Sequence, residues 1–251
     1  LRGARSIMSA GAMGAFYASK FSDMDENCIS FIASGERYER LKKEGFVVNN
    51  KQYILPVIKP DDTVPPADLV IVAVKNHHLQ EAIQDMRNRI GEKTAILSVM
   101  NEIDSEERIG AVYGRDKVLY AIAVGIDALR EGNSMKYTTQ GKLFFGEAEN
   151  TVLTERVRRI QLLFDRARIV YEMPDDMILI LWWKFMINVG INQTSAVMRA
   201  PYGVFQTSHE ARELMDSVMR EVTAIAEAAD IRISGKDIEN RYFFISVVPG
   251  R

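Results

Sequence analysis

Two fold classes follow one another in this chain: an α/β domain built on a parallel sheet, then an all-α domain. Three observations predict this. Residues 68–74 and 94–99 are continuous Val/Ile/Leu-rich runs separated by a helix-length amphipathic stretch, the pattern of strands covered on both faces. A glycine-bearing loop, residues 9–14, joins the first apolar run to the first helical one. Beyond Pro174 only helical spacing recurs.

The elements can be read in order. Residues 6–9 read as a strand and 11–21 as a helix; 28–33 is a second strand, followed by a charged helix over 35–44. The strand at 68–74 leads into a helix over 76–89 and a strand at 94–99. After Lys117 the rhythm changes: 118–127, 135–138 and 142–146 look like strands with Gly-containing turns, an antiparallel addition to the sheet. A helix over 151–166 and a strand at 168–171 complete this part. Pro174-Asp175-Asp176 reads as a helix start, with acids suited to the positive N-terminal end of the dipole. The helical pattern then runs to Ala229, interrupted near Pro201-Tyr202-Gly203, so the domains are expected at 1–173 and 174–251.

Composition narrows the function. Of the 251 residues 47% are hydrophobic and 26% charged, with a net charge of −2, values that fit a globular protein rather than a nucleic-acid or anionic-membrane binder. The single cysteine, Cys28, excludes an internal disulfide framework and fits a reducing compartment, so a cytoplasmic location is expected. There is no clustered His/Cys set, so no metal is expected; His77-His78 reads as a solvated helix start. The longest apolar run, 177–183, is too short for a bilayer and no cleavable signal is visible. Both ends read as cut, since the chain opens at Leu1 and stops at Arg251 just after an apolar segment.

The loop Ser9-Ala10-Gly11-Ala12-Met13-Gly14 is the G-x-G-x-x-G dinucleotide fingerprint with Ser in its first place. Gly11 lets the backbone approach a pyrophosphate, Gly14 lets the helix pack on the sheet, and the helix N-terminus attracts phosphate. Strand before, helix after and a second strand at 28–33 make this a Rossmann-type site. Ser9 stands where glycine fits the tight turn most easily. At the tip of the second strand an acid would bind the ribose 2′-hydroxyl of NAD, whereas a base suits the 2′-phosphate of NADP. The tip carries Ser34 and Arg37 with Glu36 as the competing feature, which favours NADP(H).

A helix-length apolar run, 178–192, is broken only by Lys184, Asn188 and Asn192, at i, i+4 and i+8 on one helical stripe. An ammonium and two carboxamides among apolar side chains are costly unless something pairs with them. If the stripe faces a cleft, a ligand bearing oxygens fills that role, and the lysine can protonate a carbonyl oxygen. The alternative is the wet side of an amphipathic helix, although such faces are usually wider and mix acids with bases.

Taken together, these residues resemble the ketopantoate reductase (2-dehydropantoate 2-reductase) family. The resemblance rests on Gly11 and Gly14, Val72-Ala73-Val74-Lys75 ending a strand, Asn101 followed by residues 102–108, and Trp183-Lys184 with Asn188 and Asn192. It implies a Rossmann-type N-terminal domain, an all-α C-terminal domain of the 6-phosphogluconate dehydrogenase C-terminal-like kind, and an active site in the cleft between them. It implies Lys184 as general acid, Asn188 and Asn192 holding substrate, Lys75 near the nicotinamide, and Asn101 placing both cofactor and substrate. Read without the resemblance, Lys75 is an ordinary strand-end residue and Asn101 a turn or cap. The chain departs from the family at Ser9, Ser34 and Glu102, and the family's substrate-binding Ser and Glu are expected beyond Arg251.

The resemblance implies NADPH-dependent reduction of ketopantoate, a step of pantothenate and coenzyme A synthesis, by a small-molecule enzyme that is expected to form a homodimer. Two alternatives stay open: a reductase of a different 2-oxo acid, and a non-catalytic NADP-binding sensor of the same fold, which would have no need of a proton donor.

Overall fold

The structure, a computed structural model, describes residues 5–8 and 11–233. Contacts divide the chain into two compact units, one ending at Met177 and the other beginning at Ile178. In chain order the first unit opens with β1 (Arg5–Met8), α1 (Ala12–Met24), β2 (Ile29–Ile32) and α2 (Gly35–Glu44). The strands β3 (Phe46–Val48), β4 (Lys51–Tyr53) and β5 (Val57–Ile58) precede β6 (Leu69–Val72), α3 (Leu79–Asp85), β7 (Ala95–Ser98) and α4 (Ser105–Tyr113). Then follow β8 (Val118–Ile126), β9 (Leu129–Glu131), β10 (Ser134–Lys136), β11 (Gln140–Gly146), α5 (Glu155–Arg166) and β12 (Tyr171–Glu172).

The main sheet has eight strands in the order β12-β11-β8-β7-β6-β1-β2-β5. From β5 to β8 every pairing is parallel, and β2, β6 and β7 are buried along their whole length. That is why β6 is a continuous Leu, Val and Ile run and why β2 and β7 are mostly apolar, with no polar alternation. Below them the core holds Phe16, Phe21, Phe31, Phe145 and Phe164, with Phe145 and Phe164 edge to face at 4.9 Å.

Several sequence expectations are corrected here. The helix expected over 76–89 is three short pieces: a 3-10 turn Asn76–His78, then α3, then a 3-10 turn Arg87–Arg89. The strand at 118–127 is not wholly an antiparallel addition, since β8 pairs parallel with β7 and only β11 runs antiparallel to it. Residues 134–136 join a separate sheet, β4-β3-β10-β9, whose three-residue strands are too short to leave a periodic signature. The last strand shortens to Tyr171–Glu172 because Arg168 takes a left-handed φ of 53° and turns the chain. Pro174 lies outside the helix it was expected to open; Asp176 bridges to Glu149 and the helix begins at Met177.

The second unit is helical, and the helix that enters it is α6 (Met177–Ile187). It is followed by a π-helical stretch Asn188–Gln193, then α7 (Thr194–Met198), α8 (Val204–Thr207) and α9 (His209–Ala228). The polar stripe therefore does not lie on one uninterrupted α-helix: the backbone widens at Asn188. Hydroxyls serve carbonyls in the widened turns, with Thr194 Oγ1 donating to the Gly190 carbonyl and Ser195 Oγ to that of Asn192 at 3.0 Å. The core is formed by Met186, Ile187 and Ile191 against Ala211, Met215, Met219, Val222 and Ala226, the last five spaced by three or four along α9. Ser208 caps α9, its hydroxyl accepting from the Ala211 N–H at 3.2 Å.

Gly190 sets the spacing of this packing. A Cβ there would stand 2.3 Å from Met219 Cε and 2.5 Å from its Cγ. Gly190→Ala is expected to lower stability by about 1–2 kcal/mol, an overpacking cost of about 1–3 kcal/mol reduced by alanine's better helix propensity. Urea unfolding of the variant checks this; an unchanged midpoint would mean that the π-helical stretch and α9 do not need this close approach.

Candidate functional site

Sheet register gathers the N-terminal candidates. Met8 stands beside Ile32 and Val72, and Val72 beside Ser98, so four strands end in one row. Beyond that row stand Gly11 at the start of α1, Ser34, Lys75 and Asn101. Strand order reverses between β1 and β6, and the crevice at such a switch point is where open α/β sheets bind ligands.

Gly11 is the N-cap of α1 and its carbonyl accepts the Ala15 N–H at 2.8 Å. No side-chain cap bond is made at Gly11 and the first turn of the helix holds no acid, which suits an end whose dipole favours an anion. Gly14 is buried in α1, while Ala12 and Met13 pack partly against the core. Ser9 and Ala10 lie outside the described residues.

At the next strand end Ser34 precedes α2 in extended conformation, and its side chain does not cap that helix. Ser34 and Arg37 share a cavity of about 180 Å³ with Val74, His78, Glu81 and Asp85. Burial, then the Glu81 charge, push the Asp85 carboxyl upward, and Arg37 works against them. Lys59, which follows β5, lines the adjoining opening with Ser34 and Arg87. Glu81, Asp85 and Lys59 escaped the sequence reading because nothing local links them to the tip of β2; the pairing of β2 with β5 and the position of α3 bring them there.

Lys75 is exposed three residues after β6, its carbonyl accepting the His78 N–H at 2.8 Å. The adjacent Asn76 accepts from Arg108 Nη1 at 2.8 Å, which ties this loop to α4. Asn101 is exposed in the loop 99–104. Both ends of that loop are joined underneath: the Ser98 and Ser105 hydroxyls lie 2.7 Å apart, and Ser105 donates to Glu106 Oε2 at 2.8 Å. Glu106 is only 1% exposed, and burial pushes its carboxyl up to about 7. Glu102, the departure beside Asn101, is partly buried, and burial raises its carboxyl as well.

In the second unit Lys184 is partly buried on α6, and desolvation lowers its ammonium to about 8. Asn188 and Asn192 remain neighbours in spite of the π-helical winding, with Asn192 Nδ2 donating to Asn188 Oδ1 at 3.2 Å. Tyr202 joins them, its hydroxyl donating to Asn192 Oδ1 at 2.5 Å. The sequence marked Tyr202 only as part of a helix interruption. Among the described residues no group of three His, Cys, Asp or Glu side chains could hold a metal ion. None of the described helices is long and apolar enough to cross a membrane.

A Rossmann-type sheet with a glycine-led helix at its switch point, followed by an all-helical unit, defines the class. Within it, the chain belongs to the ketopantoate reductase PanE/ApbA family, an oxidoreductase family: the family's main profile matches residues 6–150 and its C-terminal profile residues 176–246. A curated 2-dehydropantoate 2-reductase of Aquifex aeolicus (strain VF5) is 22% identical over 246 residues, covering 97% of this chain and 79% of the relative. The crystal structure of 2-dehydropantoate 2-reductase from Geobacter metallireducens GS-15 has the same fold, with a TM-score of 0.84 at 22% identity over 98% of this chain and 84% of that one. So does D-mandelate dehydrogenase in its ternary structure with NADH and anilino(oxo)acetate, with a TM-score of 0.82 at 18% identity over 98% and 80% of the two chains.

The buried Glu106 makes stability depend on pH. Its folded pKa of about 7 lies above the ordinary 4.5, so its contribution is whole below pH 4.5 and is lost as pH rises through 7. Glu106→Gln, neutral at every pH, is expected to be more stable than wild type at pH 8, by up to about 3 kcal/mol, and close to wild type at pH 5. Urea unfolding at both pH values tests this; an equal difference at the two would show that Glu106 is not held protonated by the fold.

Proposed function

We propose that the protein reduces a 2-oxo acid to the 2-hydroxy acid, with 2-dehydropantoate as substrate, NADPH as reductant and Lys184 as general acid. The observation that carries this reading is a lysine lowered to about 8, four residues before Asn188 and its hydrogen-bonded partner Asn192. An acid whose pKa lies near the working pH is both protonated and ready to give up its proton.

The N-terminal unit fits a dinucleotide. The first turn of α1 has neither a capping side chain nor an acid, and it stands at the switch point of the sheet. Residues 9–14 would hold the pyrophosphate, Ser34 and Arg37 the 2′-phosphate, and Lys75 and Asn101 the nicotinamide end. When bound, the nicotinamide supplies a hydride to the substrate's C2. Lys184 gives its proton to the oxo oxygen, which becomes the hydroxyl, and recovers one from solvent. Asn188 and Asn192 donate N–H groups to substrate oxygens, with Asn101 as a further contact. By the same reading residues 1–173 bind nucleotide and 174–251 bind substrate, and the working form is a homodimer.

A second reading of the cofactor has its own support. Glu81 and Asp85 line the cavity of Arg37, and a carboxylate there suits a ribose 2′-hydroxyl rather than a phosphate. It fits the D-mandelate dehydrogenase solved with NADH. Titration of NADPH and NADH against wild type, Arg37→Ala and Asp85→Asn separates the two. The NADPH reading expects Arg37→Ala to weaken NADPH about tenfold and leave NADH unchanged, a shift of about 1.4 kcal/mol. Equal binding of both nucleotides, untouched by Arg37→Ala, would refute it.

NADPH oxidation assayed with a panel of 2-oxo acids tests the activity. Lys184→Ala is expected to lower kcat by about 10²–10⁴-fold with little change in nucleotide binding. Because the protonated form is the acid, reduction should fall as pH rises through about 8, and oxidation of the hydroxy acid should rise over the same range. Near-normal turnover by Lys184→Ala would exclude the assignment.

A further inference from the structure

We propose that Tyr202 is a positioning residue that fixes the amide orientation of Asn192, and through it that of Asn188, so that Asn188 offers N–H donors to the substrate. The inference rests on the reductase reading above and names the substrate group this part of the site is built to hold: an oxygen that only accepts hydrogen bonds, as in a carboxylate or a 2-oxo group.

A carboxamide is ambiguous, since rotation by half a turn exchanges its acceptor for its donor. Two carboxamides in series stay ambiguous together unless one end of the chain is fixed. Tyr202 biases that end: a phenol can donate or accept, but its oxygen lone pair is drawn into the ring, so it donates better than it accepts. Its hydroxyl donates to Asn192 Oδ1 at 2.5 Å, which places the Asn192 NH₂ toward Asn188. Asn192 Nδ2 donates to Asn188 Oδ1 at 3.2 Å, so the acceptor of Asn188 is occupied and its NH₂ is directed away from Asn192. A 2-oxo acid anion presents acceptors alone at C1 and C2, and an Asn188 turned the other way would set oxygen against oxygen.

The tyrosine is held in place from both sides. Its ring packs against the helical core, and its carbonyl accepts the Phe205 N–H at 3.0 Å at the start of α8. Burial raises its phenol, so the hydroxyl keeps its proton to donate throughout the working pH range. The π-helical winding contributes as well, keeping Asn188 and Asn192 within hydrogen-bond reach beyond the end of α6.

The test combines kinetics with a direct view of the amides. For wild type, Tyr202→Phe, Asn192→Ala and the double variant, KM and kcat are measured with 2-dehydropantoate and NADPH, with Lys184→Ala alongside. Tyr202→Phe is expected to raise KM for the oxo acid about fivefold to twentyfold with kcat within about threefold, the loss of one well-placed hydrogen bond. The pH midpoint near 8 should not move. In the double variant Tyr202→Phe should add little to Asn192→Ala, because both act through one chain. In ¹⁵N-asparagine-labelled protein without substrate, the side-chain amide signals of Asn188 and Asn192 should shift in Tyr202→Phe. They should stay in place in Ser195→Ala, since the Ser195 hydroxyl bonds the Asn192 backbone carbonyl at 3.0 Å rather than its side-chain amide. Unchanged amide signals, an unchanged KM or independent multiplying effects would overturn the positioning role. If wild type turns over and Lys184→Ala does not, such a result leaves the reductase reading standing. A wild type inactive toward every 2-oxo acid overturns the reductase reading, and with it the proposal.

Discussion

Loss of water around polar groups is the constraint on which this structure turns. An ammonium or carboxylate taken from water is destabilised unless a partner replaces what it loses, and its pKa moves toward the neutral form. Burial is the largest cause of both the fall of Lys184 to about 8 and the rise of Glu106 to about 7, with opposite signs. Each therefore titrates near neutral pH, where an ordinary lysine or glutamate would not. The amides owe their arrangement to hydrogen bonds instead, in a chain from Tyr202 through the exposed Asn192 to Asn188.

Position follows from the same economy of buried polar groups. In the N-terminal unit β2, β6 and β7 are buried end to end, and the exposed candidates Ser34, Lys75 and Asn101 stand beyond their carboxyl ends. The Ser98–Ser105–Glu106 bonds close the Asn101 loop from beneath, and Arg108 ties the Lys75 loop to α4. In the C-terminal unit Thr194 and Ser195 serve carbonyls within the widened turns, and Gly190 lets that stretch seat against Met219. Residues far from any reacting atom thus hold the candidate groups in place.

What was legible in the sequence follows the range of the forces involved. Short, mostly apolar runs announced β2, β6 and β7 because burial on both faces is written into their residues, and the spacing of Lys184, Asn188 and Asn192 announced a polar stripe. Short strands such as β3, β4 and β9 were silent: three residues define no period, and their partners lie far along the chain. Asp85 and Lys59 were missed at the candidate adenosine end because the fold brings them beside Ser34 and Arg37. The π-helical stretch and Tyr202 were missed because a widened turn has no composition signature, and a tyrosine between Pro201 and Gly203 reads as punctuation.

The central claim is that desolvation holds Lys184 at a pKa suited to giving up a proton near neutral pH. Lysine labelled with ¹³C at Cε and titrated by NMR reports each ammonium separately, and comparison with Lys184→Arg identifies the signal. The account predicts a midpoint near 8 for Lys184 in the folded protein. A midpoint near the ordinary 10.5 would contradict it, because a lysine that keeps its proton so firmly is a solvated residue on a wet helix face.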